Sequence, residues 1–293
     1  MTHNKLVRPF LKWAGGKRQL LPEIESYLPI DRATLSKHTY YEPFIGGGAV
    51  FFHLQLKKAV VSDSNQELIN CYKTIKDSLD DLIVELTRHQ ENNSQEYYYS
   101  IRKLDRLAQK YASLSPVEKA ARIIYLNKTC YNGLFRVNSQ GQFNVPYGRY
   151  KNPNIVDEAV LKAVSKYLNK SQVKLVNADF AEAVKDAKKG DFVYLDPPYH
   201  PVSNTASFTG YDVNGFNQKE QIRLKKMFDA LTDRGCKVML SNSYTDFIKD
   251  LYQDYQDNFQ IVSSTRNINS KASKRGWVDE ILVLNYSPKE KIK

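Results

Sequence analysis

Cysteine is scarce in this chain of 293 residues. The three present, Cys71, Cys130 and Cys236, stand far apart and form no CxxC pair. That spacing argues against a zinc site and a disulfide framework, and for a reducing compartment. His38, His53, His89 and His200 show no metal-ligand spacing, so no metal is expected. No apolar run approaches membrane-spanning length, and the N-terminus has no long apolar segment. The expectation is a cytoplasmic protein without a membrane partner. Internal repeats and low-complexity tracts are also absent. Two nucleotide signatures are missing as well. "WAGGKRQ" has Leu11 where a phosphate loop needs its first Gly, and Arg18 where that loop needs Ser or Thr. "EPFIGGGAVFF" has Phe51 where a nicotinamide fingerprint needs a third small residue.

What is present is positive charge and aromatic surface. The formal net charge is +11, and its lysines and arginines are spread along the chain and not gathered in a tail. A basic surface of this kind suits a polyanion such as nucleic acid. Twenty Tyr and 13 Phe add rings that stack on bases. Hydrophobic residues make up 42%, enough for a large core.

Periodicity predicts an α/β domain interrupted by helices. "KRQLLPEIESYL" reads as a short helix, "TYYEPFI" as a strand, Gly46-Gly47-Gly48 as a turn, "AVFFHLQL" as a helix, and "KAVVSD" as a strand ending on Asp63. Leu68, Tyr72, Ile75, Leu79, Leu82 and Leu86 then recur in steps of four and three, one helical face. "EYYYSIRKLDRLAQKYA" reads as a second helix. Ser115-Pro116-Val117-Glu118 is a capping box opening a third. "LFRVN" and "QFNV" flank a polar turn and predict a hairpin. Strand and helix alternation returns with "DEAVLKAVSKYL", "VKLVNAD", "FAEAVKDA" and "DFVYLD". Asn217 and Glu220 are placed to cap "QKEQIRLKKMFDALTD", which Gly235 ends. "CKVMLSN" and "DEILVLNY" read as the last strands. Residues 1–66 and 153–293 are therefore expected to form a discontinuous α/β domain. Residues 67–152 form a mostly helical insertion with a hairpin near 131–150.

The chemistry concentrates where strands end. The run Phe192-Val193-Tyr194-Leu195 stops at Asp196, and two prolines and Tyr199 follow at once. Asp and Pro also favour plain turns. A strand end in an open α/β sheet, however, faces the crevice where ligands bind. The prolines fix φ and remove two N–H donors, leaving bare carbonyls. Asp196 and the Pro197 carbonyl can then grip an amino group, and Tyr199 can stack on its ring. Phe44, Gly46 and Gly48 allow a ligand close to the backbone. Asp63 can take two ribose hydroxyls. Asp179 can accept from an adenine amino group while Phe180 offers a ring face. A nucleoside held without a phosphate grip points to S-adenosylmethionine.

"FLKWAGGKRQLL", "YEPFIGGGAVFF", "YNGLFRVN", "GQFNVPYGRY", "NADF" and "DPPY" resemble the Dam-type (D12 class) DNA adenine-N6 methyltransferases, from about Pro9 to Tyr286. The resemblance implies a Rossmann-like methyltransferase sheet with an inserted DNA-recognition domain. It implies that Trp13, Lys17, Asp63 and Asp196 contact S-adenosylmethionine, that Phe44 and Gly46 line its methionine end, and that Asp179 and Phe180 hold its adenine. Tyr131 and Asn132 fill the gap left by a flipped base. Leu134 and Arg136 read base edges, in GATC as the family's usual site. Pro146, Arg149 and Tyr150 support or contact DNA. Duplex DNA is then the partner, with a nucleoid-associated place of work. The resemblance allows, without requiring, a restriction endonuclease acting on the same site. Phe135 and Val137 add no specificity information. "VSNTASFTGYDVNGF" has the polarity of a lid, and "STRNINSKASKRG" the charge of a DNA-facing segment. Other readings are an S-adenosylmethionine enzyme acting on RNA or a protein amide, or a DNA-binding module without catalysis. An amide substrate favours Asn where Asp196 stands, and an intact Asp196, Pro197 and Tyr199 count against a silent module.

Overall fold

The computed structural model describes residues 3–13, 15–202, 215–265 and 277–288. Most of the lid-like stretch and nearly all of the basic segment from Ser264 to Gly276 lie outside the described residues.

After a 3-10 turn at Lys17–Gln19 come α1 (Leu21–Ser26), α2 (Arg32–Leu35), β1 (Tyr40–Glu42), α3 (Ala49–Leu54) and β2 (Lys58–Asp63). The helical stretch follows: α4 (Gln66–Asp77), α5 (Leu79–Glu91), α6 (Gln95–Arg102), α7 (Ala108–Ser113) and α8 (Pro116–Thr129). The chain then runs through α9 (Glu158–Lys170), β3 (Gln172–Asn177), α10 (Phe180–Ala183) and β4 (Phe192–Leu195). It ends with α11 (Gln218–Asp233), β5 (Lys237–Ser243), α12 (Asp246–Leu251), β6 (Phe259–Thr265) and β7 (Trp277–Leu284). No helix among the described residues is long and apolar enough to cross a membrane.

The seven strands form one sheet in the order β3-β2-β1-β4-β5-β7-β6. β1 to β5 are parallel, and β7 joins β5 and β6 antiparallel. This is the mixed α/β sheet expected of a Rossmann-like methyltransferase. Strand order turns around between β1 and β4, since β2 and β3 follow on one side and β5 on the other. Such a switch point leaves a crevice at the carboxyl ends of the strands. β4 is buried along its whole length, as a central parallel strand must be.

Several boundaries differ from expectation for local reasons. The helix expected over Lys17–Leu28 begins as a 3-10 turn, because Pro22 sits in the first turn of α1, where its missing N–H is harmless. The long face from Leu68 to Leu86 is two helices broken at Ser78, whose φ of −144° is not helical. The second expected helix is interrupted at Lys103–Arg106, where Asp105 turns inward to accept from the Phe143 N–H at 2.7 Å and pair with Arg122 at 2.7 Å. β6 was not foreseen; it is an edge strand with Val262 buried and Ile261 exposed. The capping box at Ser115 and the Asn217 cap are both formed, while Glu220 bonds Arg223 and not the helix end. α4 packs on β3 as well as α8 and α9, so one buried cluster runs from β2 through α4, α5 and α8 to α9.

Candidate active site

The end of β4 carries the first cluster. Lys17 Nζ lies 2.8 Å from Asp196 Oδ1 and 2.8 Å from the Gly15 carbonyl oxygen, and it is almost fully buried. The same ammonium sits 4.5 Å from the centre of the Tyr199 ring. Asp196 Oδ2 has no hydrogen-bond partner among the described residues, and the carboxylate keeps 18% exposure. Burial pushes the Asp196 carboxyl up to about 6 against the pull of Lys17. The Tyr199 hydroxyl donates to Glu280 Oε2 of β7 at 2.6 Å.

The stiff turn behind Asp196 is clamped by buried polar groups. Gln221 Nε2 donates to the Pro198 carbonyl at 3.0 Å, Asn242 Nδ2 to Gln221 Oε1 at 3.1 Å, and the His200 N–H to Asn242 Oδ1 at 3.0 Å. Ser243 Oγ donates to the His200 carbonyl, and the His200 ring stacks on Phe247 at 4.6 Å. His200 is thus a structural residue. With no N–H on either proline, the turn is held through the Pro198 and His200 carbonyls and the His200 N–H.

A second buried carboxyl ends β1. Glu42 Oε2 accepts from the Tyr40 hydroxyl at 2.5 Å, and burial pushes Glu42 up to about 8. Neither residue was singled out from sequence.

The glycine turn after β1 is built for close approach. Gly46 has φ of +48°, and a Cβ there would lie 2.9 Å from Trp13 Cδ1. Its N–H donates to Asp63 Oδ2 at 3.1 Å, and its carbonyl accepts from the Tyr72 hydroxyl at 3.0 Å. Strand-end Asp63 and the glycine turn therefore meet. Phe44 stacks on Phe180 at 5.3 Å, and the Arg223 guanidinium lies 3.9 Å from the Phe180 ring centre. Phe180 is only 4% exposed, so its ring is covered in this state. Asp179 caps α10 through the Ala181 N–H and holds Arg223 in a two-point pair, which lowers its carboxyl further below the usual range.

The hairpin leans on the same cluster. Trp13 stacks on Phe135 at 4.5 Å, joining the glycine turn to the residue beside Arg136. Phe135 carries no reading of its own but anchors the hairpin. Bridges join Cys130 to Tyr147 and Val137 to Phe143, and Asn138 Oδ1 closes the tip on the Gln140 and Gln142 N–H groups. Tyr131 is 53% exposed, and Asn132 beside it has φ of +58°. The Tyr131 N–H donates to the Pro146 carbonyl at 2.8 Å. Arg136 is exposed and donates to the Asn144 carbonyl at 2.7 Å. Leu134 is half-buried against the core. Arg149 is exposed with φ of +51°, and Tyr150 lies under Lys12, 5.7 Å from its ammonium.

Glu280, Gln221 and Asn242 escaped the sequence reading. They lie 81 and 23 residues from Tyr199 and Pro198, and 42 from His200, and no local pattern links them.

The family profile described as D12 class N6 adenine-specific DNA methyltransferase matches residues 13–269. A chain named Type II methyltransferase M1.LlaDCHI, from Lactococcus lactis subsp. cremoris, is 50% identical over 288 residues, covering 98% of each chain. Type II methyltransferase M.MjaIII of Methanocaldococcus jannaschii is 46% identical over 96% of this chain and 99% of its own. A DNA adenine methylase of Escherichia coli strain K12 is 35% identical over 97% of both chains.

Proposed function

Since this chain belongs to the D12 class of N6 adenine-specific DNA methyltransferases, we propose that it takes the methyl group from S-adenosylmethionine and places it on an adenine turned out of duplex DNA, within GATC. The observation that carries this reading is Asp196: a largely buried carboxylate at a strand end by the switch point, one oxygen on Lys17 and the other unpartnered among the described residues.

The residues present fit a nucleoside sulfonium ligand. Gly46 lets the Trp13 ring close on the turn, where a Cβ would meet it at 2.9 Å, and its N–H already holds Asp63. An ionised carboxylate has about four acceptor positions, so Asp63 can also receive ribose hydroxyls. Trp13 borders the turn from the N-terminal side, Lys17 lies beside Asp196, and Phe44 follows the end of β1. Asp179 and Phe180 take the adenine once Arg223 yields part of its contact with them. Bound there, S-adenosylmethionine supplies an electrophilic methyl group.

An adenine N6 amine is a weak nucleophile, because its lone pair is delocalised into the ring. Asp196 Oδ2 and the Pro197 carbonyl accept its two N–H groups. This turns the lone pair toward the methyl and stabilises charge developing on nitrogen. Tyr199 stacks on the extruded base. Extrusion costs roughly a few kcal/mol. Tyr131 and Asn132 fill the gap it leaves; the exposed ring and the left-handed backbone support that role. Residues 67–152 serve as the recognition unit on a catalytic unit of 1–66 and 153–293. Leu134 and Arg136 face base edges, with Pro146, Arg149 and Tyr150 along the backbone. Two relatives carry Type II methyltransferase names, which supports a companion endonuclease sharing the site.

Labelled S-adenosylmethionine and plasmid, followed by mapping of the modified base, test the reading. Label on adenine N6 within GATC is expected. Label on another base, or on RNA alone, overturns it.

A further inference from the structure

The proposed mechanism assigns nothing to Glu280, although β7 carries it to the far end of the Tyr199 ring. We infer that Glu280 is a positioning residue for methyl transfer, fixing the Tyr199 ring as a rigid platform and adding a second negative charge beside Asp196. The inference rests on the reading of Tyr199 as the stacking surface for the extruded base.

Three contacts define that ring. Its backbone end follows two prolines that fix φ. Its face lies 4.5 Å from Lys17 Nζ. Its hydroxyl donates to Glu280 Oε2 at 2.6 Å, the short length of a charge-assisted bond. A tyrosine held only at its backbone can swing about its first side-chain torsion. Glu280 prevents that swing from a strand paired to both neighbours, opposite Ser243 of β5 and Val262 of β6. Burial and the Asp196 and Glu280 carboxylates push the Tyr199 phenol well above its usual value, so it remains the donor.

The second effect is electrostatic. Lys17 from the N-terminal turn touches Asp196, and Glu42 from β1, Tyr194 from β4, Tyr199 from the loop and Glu280 from β7 are near enough to couple to it electrostatically. Lys17 favours the carboxylate, while Glu280 disfavours it and makes it more basic. A more basic Asp196 accepts more strongly from the amine during transfer.

Single-turnover methylation of plasmid with labelled S-adenosylmethionine, in E280A, E280Q, Y199F and E280A/Y199F, tests this, with cofactor affinity and melting measured alongside. E280A and Y199F should each slow transfer roughly tenfold, the size of one lost charge-assisted bond, at unchanged cofactor affinity. The double variant should lose no more than E280A alone. E280Q keeps an acceptor, so it should lose less than E280A, and its acidic limb should move to lower pH. Losses that multiply in the double variant, or E280A at the wild-type rate, overturn the inference. If melting shows E280A unfolded, E280Q decides through its acidic limb, and an unmoved limb overturns the charge effect. Failure of the underlying reading looks different: Y199A transferring at the wild-type rate removes Tyr199 as the platform, whatever Glu280 does.

Discussion

At the scale of single residues, the proposed mechanism makes ionisation of Asp196 the acidic limit of activity. Its carboxyl is raised to about 6, and the mechanism uses the ionised form. Turnover should therefore fall as pH drops through about 6, read as the midpoint of single-turnover rate against pH. Lys17 pulls that carboxyl down. Lys17→Met should then move the midpoint to higher pH, and a midpoint unmoved or lower means the ion pair does not tune Asp196. Asp196→Ala should abolish methyl transfer. It also leaves the almost fully buried Lys17 ammonium without its carboxylate, so melting and DNA binding are measured alongside. Asp196→Asn, which keeps an acceptor for Lys17, serves where the alanine variant unfolds. Near-normal turnover in the folded variant would sink the mechanism. Glu42 governs stability instead. Its folded-state value of about 8 lies above its usual 4.5, so the folded state holds a proton that the unfolded chain has released. That contribution to stability is complete below pH 4.5 and is lost as pH rises toward 8. Glu42→Gln should flatten the fall between pH 6 and 8, where the unmodified protein loses roughly 1 kcal/mol per pH unit from this group. Denaturant midpoints at the two pH values give the slopes. Equal slopes would mean that Glu42 is not the group.

At the scale of elements, the turns are the informative parts. The glycine turn between β1 and α3 was legible because each constraint is local: a strand, a left-handed glycine and a strand ending in an acid. Its meeting with Trp13 was not, because the contact comes from more than 30 residues away in sequence and depends on tertiary packing. The same distinction runs through the site. Asp196 and Tyr199 stand in one short run, whereas Glu280, Gln221 and Asn242 reach that run across the sheet. β6 escaped notice because an edge strand with one deeply buried side chain leaves a weak period. The break at Ser78 escaped because α5 resumes with nearly the same buried phase as α4. For the hairpin, the reading of Arg136 gives a test. An arginine bidentate to guanine contributes about 1–3 kcal/mol of discrimination at one base pair. Arg136→Ala should methylate sites that differ from GATC at one position, seen by sequencing modified adenines. A uniform loss at every site, with preference unchanged, would make Arg136 a backbone contact.

At the scale of the whole molecule, charge decides how the protein finds DNA. The chain has 43 Lys and Arg against 32 Asp and Glu, and its acids are not all available to offset the cations facing a ligand. Glu42 is buried at the end of β1, and its raised carboxyl stays protonated near neutral pH, so it offsets no cation. Burial lowers the Lys128 ammonium; Asp157 opposes that shift, and Lys12 and Arg8 add to it. Bringing a phosphate to such a surface releases condensed counterions from the duplex. The logarithm of affinity then falls with the logarithm of salt concentration, with a slope near −0.9 per phosphate neutralised. Filter binding or anisotropy on a short duplex, between low and physiological salt, should show a steep straight line. Lys128→Ala should reduce its slope by about 1 and weaken matched and unmatched duplexes alike. A flat line would remove nonspecific phosphate binding as the main attraction, and a slope unchanged in the variant would place Lys128 outside the DNA interface.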